Sequence, residues 1–156
     1  MANNDIISNV LICFTSHRNS RKSYFSKKIA VVDDEGDIAR MFTDALKSNG
    51  YRAKAFTDPL VAFDQICSDH SSYGLVLSDV RMPNLSGIEL ATKLREKYKK
   101  IKIILMSAYE TEYIRISNMK NIDYFISKPA HIEKVLGIIE DVILPPKIKI
   151  EEIPTM

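Results

Sequence analysis

The sequence predicts an α/β fold, a doubly wound five-stranded parallel sheet with strand order 2-1-3-4-5 and helices on both faces. Three observations predict it. Between residues 27 and 144, short apolar runs alternate five times with stretches of helical period. Most of the runs are near-continuously apolar, as strands buried on both faces of a parallel sheet must be. Four of them stop at polar, reactive side chains, Asp33-Asp34, Asp79, Ser107 and Lys128. The carboxyl edge of such a sheet is where ligands bind.

The elements follow in order. KIAVV supplies a buried strand, Ile29 to Val32, which runs into Asp33-Asp34-Glu35. A helix comes next, with Ile38, Met41, Phe42, Ala45 and Leu46 at helical spacing, and Asn49-Gly50 ends it. YRAKAF, residues 51–56, alternates and reads as a half-exposed strand. Thr57 or Asp58 caps a second helix with Pro59 in its first turn and an apolar stripe of Leu60, Phe63, Ile66 and Cys67. Gly74 to Asp79 is the third strand. Ser86 and Glu89 form a capping box for the third helix, which reaches about Tyr98. Ile101 to Met106 is the fourth strand, 110–119 a weakly amphipathic helix, and Asp123 to Ile126 the fifth strand. The last helix, from His131 to Ile143, presents Ile132, Val135, Leu136, Ile139 and Val142, and Pro145-Pro146 stops it.

Composition narrows the class. The chain has 156 residues, 46% apolar and 27% charged, which suits one soluble globular domain. No apolar run approaches the roughly 20 residues of a membrane span. Ile6 to Phe14 comes nearest but is broken by Ser8 and Asn9, and it lacks the basic flank of a secretory signal. Cys13 and Cys67 form no CxxC and suggest neither a disulfide framework nor a zinc site, so a reducing cytoplasm is expected. Residues 1–26 carry a net charge of +2, and the remainder is balanced at 19 basic and 19 acidic residues. The folded part has no basic excess to drive nucleic-acid binding. Residues 1–26 read as an extension, 27–144 as the domain and 145–156 as a short tail.

The chemistry centres on Leu75 to Gly87, LVLSDVRMPNLSG. Here a buried strand pushes one carboxylate out of its end into a Pro-containing loop. With order 2-1-3-4-5 the switch point lies between strands 1 and 3, which end at Asp33-Asp34 and Asp79. Three carboxylates in one crevice repel unless a cation joins them, and a hard, oxygen-preferring ion such as Mg2+ suits them. Asp79 could then attack phosphorus to form an acyl phosphate. The Ser107 hydroxyl and Lys128 ammonium would stabilise charge on the transferred oxygens.

With VVDDE, LVLSDVRMPNLSG, ILMSA and FISKPA in order at four strand ends, the chain resembles the receiver domain of two-component response regulators, over about residues 27–144. The resemblance implies a flavodoxin-like, chemotaxis-regulator-like fold and a phosphorylation-activated switch, not a conventional enzyme. Asp79 would be the phosphoacceptor and would catalyse its own phosphorylation and dephosphorylation. Asp33, Asp34, Asp79 and the Arg81 backbone carbonyl would bind Mg2+. Ser107 would be the switch hydroxyl, Lys128 the phosphoryl partner, and Lys128-Pro129 a cis bond. Phe125 matches the switch aromatic without the hydroxyl of the commoner Tyr. Arg81 and Tyr109 occupy positions that tend to set acyl-phosphate lifetime, and their bulk suggests shielding.

The implied partners are a histidine kinase or phosphotransfer protein of a phosphorelay and a downstream protein. The latter would meet the face made by the fourth strand, the helix after it and the fifth strand. That face also serves some family members for homodimerisation. With nothing long after Pro146, output is expected through another protein, without direct nucleic-acid or membrane binding.

Taken singly, Asp33-Asp34 reads as a helix N-cap pair, Asp79 and Ser107 as turn residues and Lys128 as a solvated lysine. Their joint placement carries the functional reading. His17, His70 and His131 lack metal-ligand spacing. Cys67, Tyr113, Ile116 and Met119 read as core. A haloacid-dehalogenase-like phosphatase would need DxD with the nucleophile on strand 1, where this chain has Asp33-Asp34-Glu35. A phosphate-independent docking module with a vestigial site is the remaining alternative.

Overall fold

The computed structural model describes residues 26–109, 112, 115, 116 and 118–144. Its elements in chain order are β1 (Lys28–Val32), α1 (Gly36–Ser48), β2 (Arg52–Phe56), α2 (Pro59–Ser68), a 3-10 turn (His70–Ser72), β3 (Tyr73–Asp79), α3 (Gly87–Lys97), β4 (Lys102–Ser107), β5 (Tyr124–Ser127) and α4 (Ile132–Ile143). All strand pairings are parallel, and the order is β2-β1-β3-β4-β5. This is the predicted architecture. Of the helix expected over 110–119, Glu112, Arg115 and Ile116 are helical, and residues 110, 111, 113, 114 and 117 lie outside the described set. Most of the expected extension (1–25) and tail (145–156) also lies outside it.

Alternation along each strand sends side chains to two cores. Ala30, Val32, Val76, Ile103 and Leu105 meet Ala62 and Ile66 of α2 and Leu90, Ala91 and Leu94 of α3. Ile29, Val31, Leu75, Leu77, Ile104 and Met106 meet Phe42 and Leu46 of α1 and Val135 and Ile139 of α4. Each fully buried aliphatic side chain contributes about 1.5–3 kcal/mol by leaving water.

Two helices bury residues beside their expected stripes, and a third keeps its stripe and adds to it. On α1, Met41 is exposed while Ala39 and Thr43 are buried. On α2, Leu60 is exposed while Pro59, Ala62 and Ile66 are buried, and Cys67 is half-buried. On α4, Ile138 and Ile143 join Val135 and Ile139 in the core, and Ile132, Leu136 and Val142 lie at its edge. On α1 and α2 the buried positions include small residues, Ala39 and Ala62, which side-chain size does not mark as core.

Local signals match their elements. The Asp58 side chain accepts from the Leu60 amide at 2.8 Å, with Pro59 first in α2. Ser86 and Glu89 form both halves of the capping box. Gly50, just beyond α1, has φ +86°, the left-handed conformation that favours glycine. Ile116 is fully buried and Met119 packs against the same core, whereas Tyr113 lies outside the described residues.

Candidate functional site

The register brings four strand ends to one edge. Val32 pairs with Ser78, Asp79 with Met106, and Ser107 with Ser127. The backbone then extends beyond the ladder: the Asp33 amide donates to the Phe56 carbonyl at 3.0 Å and the Lys128 amide to the Ser107 carbonyl at 2.8 Å. Asp33, Asp79, Ser107 and Lys128 therefore stand side by side because the strands that carry them are in register.

At the centre is a cation between two carboxylates. Lys128 Nζ lies 2.7 Å from Asp79 Oδ1 and 2.9 Å from Asp33 Oδ2. The side chains of Asp33, Asp79 and Lys128 are 1%, 13% and 17% exposed, so the triad works at low local dielectric. The remaining carboxylate oxygens accept from backbone, Asp33 Oδ1 from the Glu35 amide at 3.0 Å and Asp79 Oδ2 from the Arg81 amide at 2.9 Å. Burial pushes the Asp79 carboxyl above the usual aspartate range. The Lys128 ammonium offsets part of that, and repulsion from Asp33 adds to it. Burial alone would lower the Lys128 pKa, but its bonds to Asp79 and Asp33 outweigh burial and hold it above the ordinary lysine value.

The loop after Asp79 is fixed by backbone. The Val80 amide donates to the Met106 carbonyl at 2.9 Å, and the Gly87 amide donates to the Val80 carbonyl at 2.9 Å. Asn84 takes a left-handed φ of 68°, which asparagine tolerates. Gly87 is required: a Cβ there would lie 2.1 Å from the Asp79 carbonyl oxygen.

Asp34 is exposed beside this edge. Among the described residues, no three His, Cys, Asp or Glu side chains gather closely enough to hold a metal alone. The expected crowd of three carboxylates is thus a pair, Asp33 and Asp79, closed by Lys128. Such a pair fits Mg2+, which uses one or two carboxylates and keeps several waters. That Lys128 already bridges the two shows that they accept a shared cation.

Ser107 is buried at the end of β4, and its Oγ accepts from the Tyr109 amide at 3.1 Å. The Arg81 guanidinium lies over the Tyr109 ring, 3.5 Å from its centroid. Phe125 is partly buried against the core below β4 and α3. The Lys128-Pro129 bond is cis. Two participants lie outside the sequence-based expectation. Glu112 accepts from Ser107 Oγ through Oε2 and from Arg81 Nε through Oε1, the latter at 2.8 Å. Asp123, before β5, accepts from the Ile103 amide at 2.8 Å and from Arg95 Nη2 at 2.6 Å, tying α3, β4 and β5 together. An acid at Glu112, beside a site read as anion-binding, has the wrong sign to attract notice. Asp123 could have been noticed as a lone acid at the mouth of an apolar strand.

Residues 29–140 match the response regulator receiver domain family. The chain belongs to that family. The phosphoglycerate transport system transcriptional regulatory protein PgtA of Salmonella typhimurium is 33% identical over 114 residues, 72% of this chain and 27% of that protein. Response regulator MprA of Mycobacterium bovis is 32% identical over 113 residues, 72% of this chain and 48% of MprA. The chain therefore spans about a quarter to a half of these curated relatives. Response regulator TrrA of Thermotoga maritima, crystallised with Mg2+ and BeF, is 30% identical with a TM-score of 0.67, over 74% of this chain and 98% of TrrA. Receiver domains are phosphoacceptors of two-component signalling that bind Mg2+ at the phosphorylation site and interact with histidine kinases or phosphotransfer proteins. No helix among the described residues is long and apolar enough to cross a membrane.

Proposed function

We propose that residues 27–144 form a receiver that accepts a phosphoryl group on Asp79 from a histidine kinase or phosphotransfer protein and passes the signal to a partner protein. The observation that carries this reading is the Asp33–Lys128–Asp79 triad at the end of the central strand. One nucleophile stands there beside one cation and a second carboxylate. An Asp79 oxygen attacks phosphorus, a P–O bond forms, and the bond from phosphorus to the donor's imidazole nitrogen breaks with its electron pair leaving on nitrogen. Burial makes the Asp79 carboxylate more basic and therefore a better nucleophile. Lys128 holds that carboxylate in place and can follow a transferred oxygen without leaving Asp33. Asp33, Asp79 and the Arg81 carbonyl, with Asp34 acting through water, would hold Mg2+, which would supply neutralisation of charge on the transferred oxygens.

Ser107 and Phe125 couple the site to the surface of β4, the segment after it and β5. That surface is where a downstream partner, or a second copy of the chain, would sense the change. Arg81 stacked on Tyr109 would restrict water at the acyl phosphate.

The test is incubation with acetyl phosphate, with and without Mg2+, followed by intact mass. The expected result is one added phosphoryl group that requires both Mg2+ and Asp79. An adduct of equal yield in Asp79→Asn would overturn the assignment.

A further inference from the structure

The segment after β4 carries a carboxylate with no role in the reading above. Glu112 is only 12% exposed, and both of its oxygens are engaged by groups that flank Asp79. Oε2 accepts a hydrogen bond from the Ser107 hydroxyl, and Oε1 accepts one from Arg81 Nε–H at 2.8 Å. Arg81 is further held by the Tyr109 ring, and the Tyr109 amide donates back to Ser107 Oγ at 3.1 Å. Ser107, Glu112, Arg81 and Tyr109 thus close a ring at the lip of the site.

Proton counting gives this ring a consequence. A serine hydroxyl has one proton to donate. While that proton is donated to Glu112, Ser107 can offer a phosphoryl group on Asp79 only lone pairs, which repel its oxygens. An aspartyl phosphate carries about 1.5 to 2 negative charges where the carboxylate carried one, and it presents three acceptor oxygens. It therefore demands the same proton that Glu112 holds, and it repels the Glu112 carboxylate.

We propose that Glu112 is a positioning residue that competes with the phosphoryl group for Ser107 and Arg81 and so holds the receiver in its unphosphorylated arrangement. The inference rests on the reading of Asp79 as phosphoacceptor. In the unmodified chain, Glu112 is tied to Ser107 and Arg81. Phosphorylation transfers the Ser107 hydrogen bond from Glu112 to the phosphoryl oxygen, with no covalent change at either residue, and the displaced carboxylate turns to water. The hydrogen bond that phosphorylation breaks lies in the surface proposed to meet a partner. Glu112 thereby lowers the affinity of the site for a phosphoryl group and reports its arrival.

The test uses the full chain and beryllium fluoride with Mg2+, a phosphoryl mimic, with binding followed by amide chemical shifts. Glu112→Ala is expected to lower the binding midpoint about tenfold, the scale of one charge-assisted hydrogen bond removed from the unbound state. Glu112→Gln, which keeps the shape and loses the charge, is expected to fall between. In a Ser107→Ala background the gain from Glu112→Ala should shrink to about threefold, since only Arg81 is then released. Equal midpoints for wild type and both folded Glu112 variants would overturn the proposal. So would the same gain with and without Ser107, because a merely structural Glu112 would not depend on that hydroxyl. A wild type that neither binds beryllium fluoride nor gains a phosphoryl group fails before any variant is compared. That result would overturn the Asp79 reading itself and the present inference with it.

Discussion

Replacing Gly87 by Ala sets two effects of opposite sign against each other. By helix propensity alone, alanine in the first turn of α3 should stabilise by about 0.5–1 kcal/mol. Sterically, the added Cβ would lie 2.1 Å from the Asp79 carbonyl oxygen, 3.0 Å from its carbonyl carbon and 3.1 Å from Val80 Cα. All three obstacles are backbone, so no side chain can rotate away. Relief requires the start of α3 to move by about 1 Å from the end of β3, against the Gly87–Val80 hydrogen bond of 2.9 Å. Overpacking costs typically 1–3 kcal/mol, and a rigid obstacle places this case near 3. Net of propensity, Gly87→Ala should lose about 2 kcal/mol. With a urea m-value near 2 kcal/mol/M, the midpoint falls by about 1 M. Equilibrium urea unfolding followed by circular dichroism measures it. The same shift displaces the Asp79 carbonyl, so phosphorylation by acetyl phosphate should slow in parallel. A variant as stable as wild type, or more stable, would refute the steric argument and show that the β3–α3 junction yields easily.

Further expectations follow from the site and its supports. Lys128→Met leaves Asp33 and Asp79 buried without their cation and should cost roughly 3 kcal/mol at neutral pH by urea unfolding, with phosphorylation strongly slowed. Ser86→Ala removes one half of the α3 capping box and should cost about 1 kcal/mol in the same assay. The Glu89 carboxyl is held below the ordinary value of 4.5 by its bonds to the Ser86 amide and hydroxyl. Its stabilisation is therefore present above about pH 4.5 and lost as pH falls through the lowered value, a dependence that Glu89→Gln should remove. The Asp79 carboxyl is raised above 3.8, chiefly by burial, so its nucleophilic form is lost earlier on acidification. Without Mg2+, the Asp79 carboxyl followed by NMR should titrate above 3.8. Arg81→Ala should shorten acyl-phosphate lifetime, read by the decay of the phosphorylated mass. A longer lifetime would count against shielding by Arg81 and Tyr109.

Much of this architecture was legible because strand ends are local features. Five apolar runs with a period switch between them were enough to order the sheet. Asp79 and Lys128 were readable because each directly follows such a run. Helix facing was harder to read. In PLVAF every residue from Pro59 to Phe63 is apolar, so periodicity could not show that Ala62 faces the sheet and Leu60 faces water. Met41 misled because side-chain size suggested burial, whereas the small Ala39 is the buried residue. Glu112 was illegible because its role depends on contacts with Ser107 and Arg81 that no local pattern encodes. Its pairing with Arg81 spans 31 positions. The Asp123 ties to Arg95 and Ile103 are similarly non-local, spanning 28 and 20 positions.

The central claim is that Asp79 carries the phosphoryl group. Borohydride reduction of the phosphorylated chain, followed by peptide mass spectrometry, tests it most directly, because reduction converts an aspartyl phosphate to homoserine at the modified position. Homoserine is expected at position 79 alone, dependent on Mg2+ and the phosphodonor. Homoserine at Asp33 or Asp34, or a phosphorylated chain with none, would contradict it.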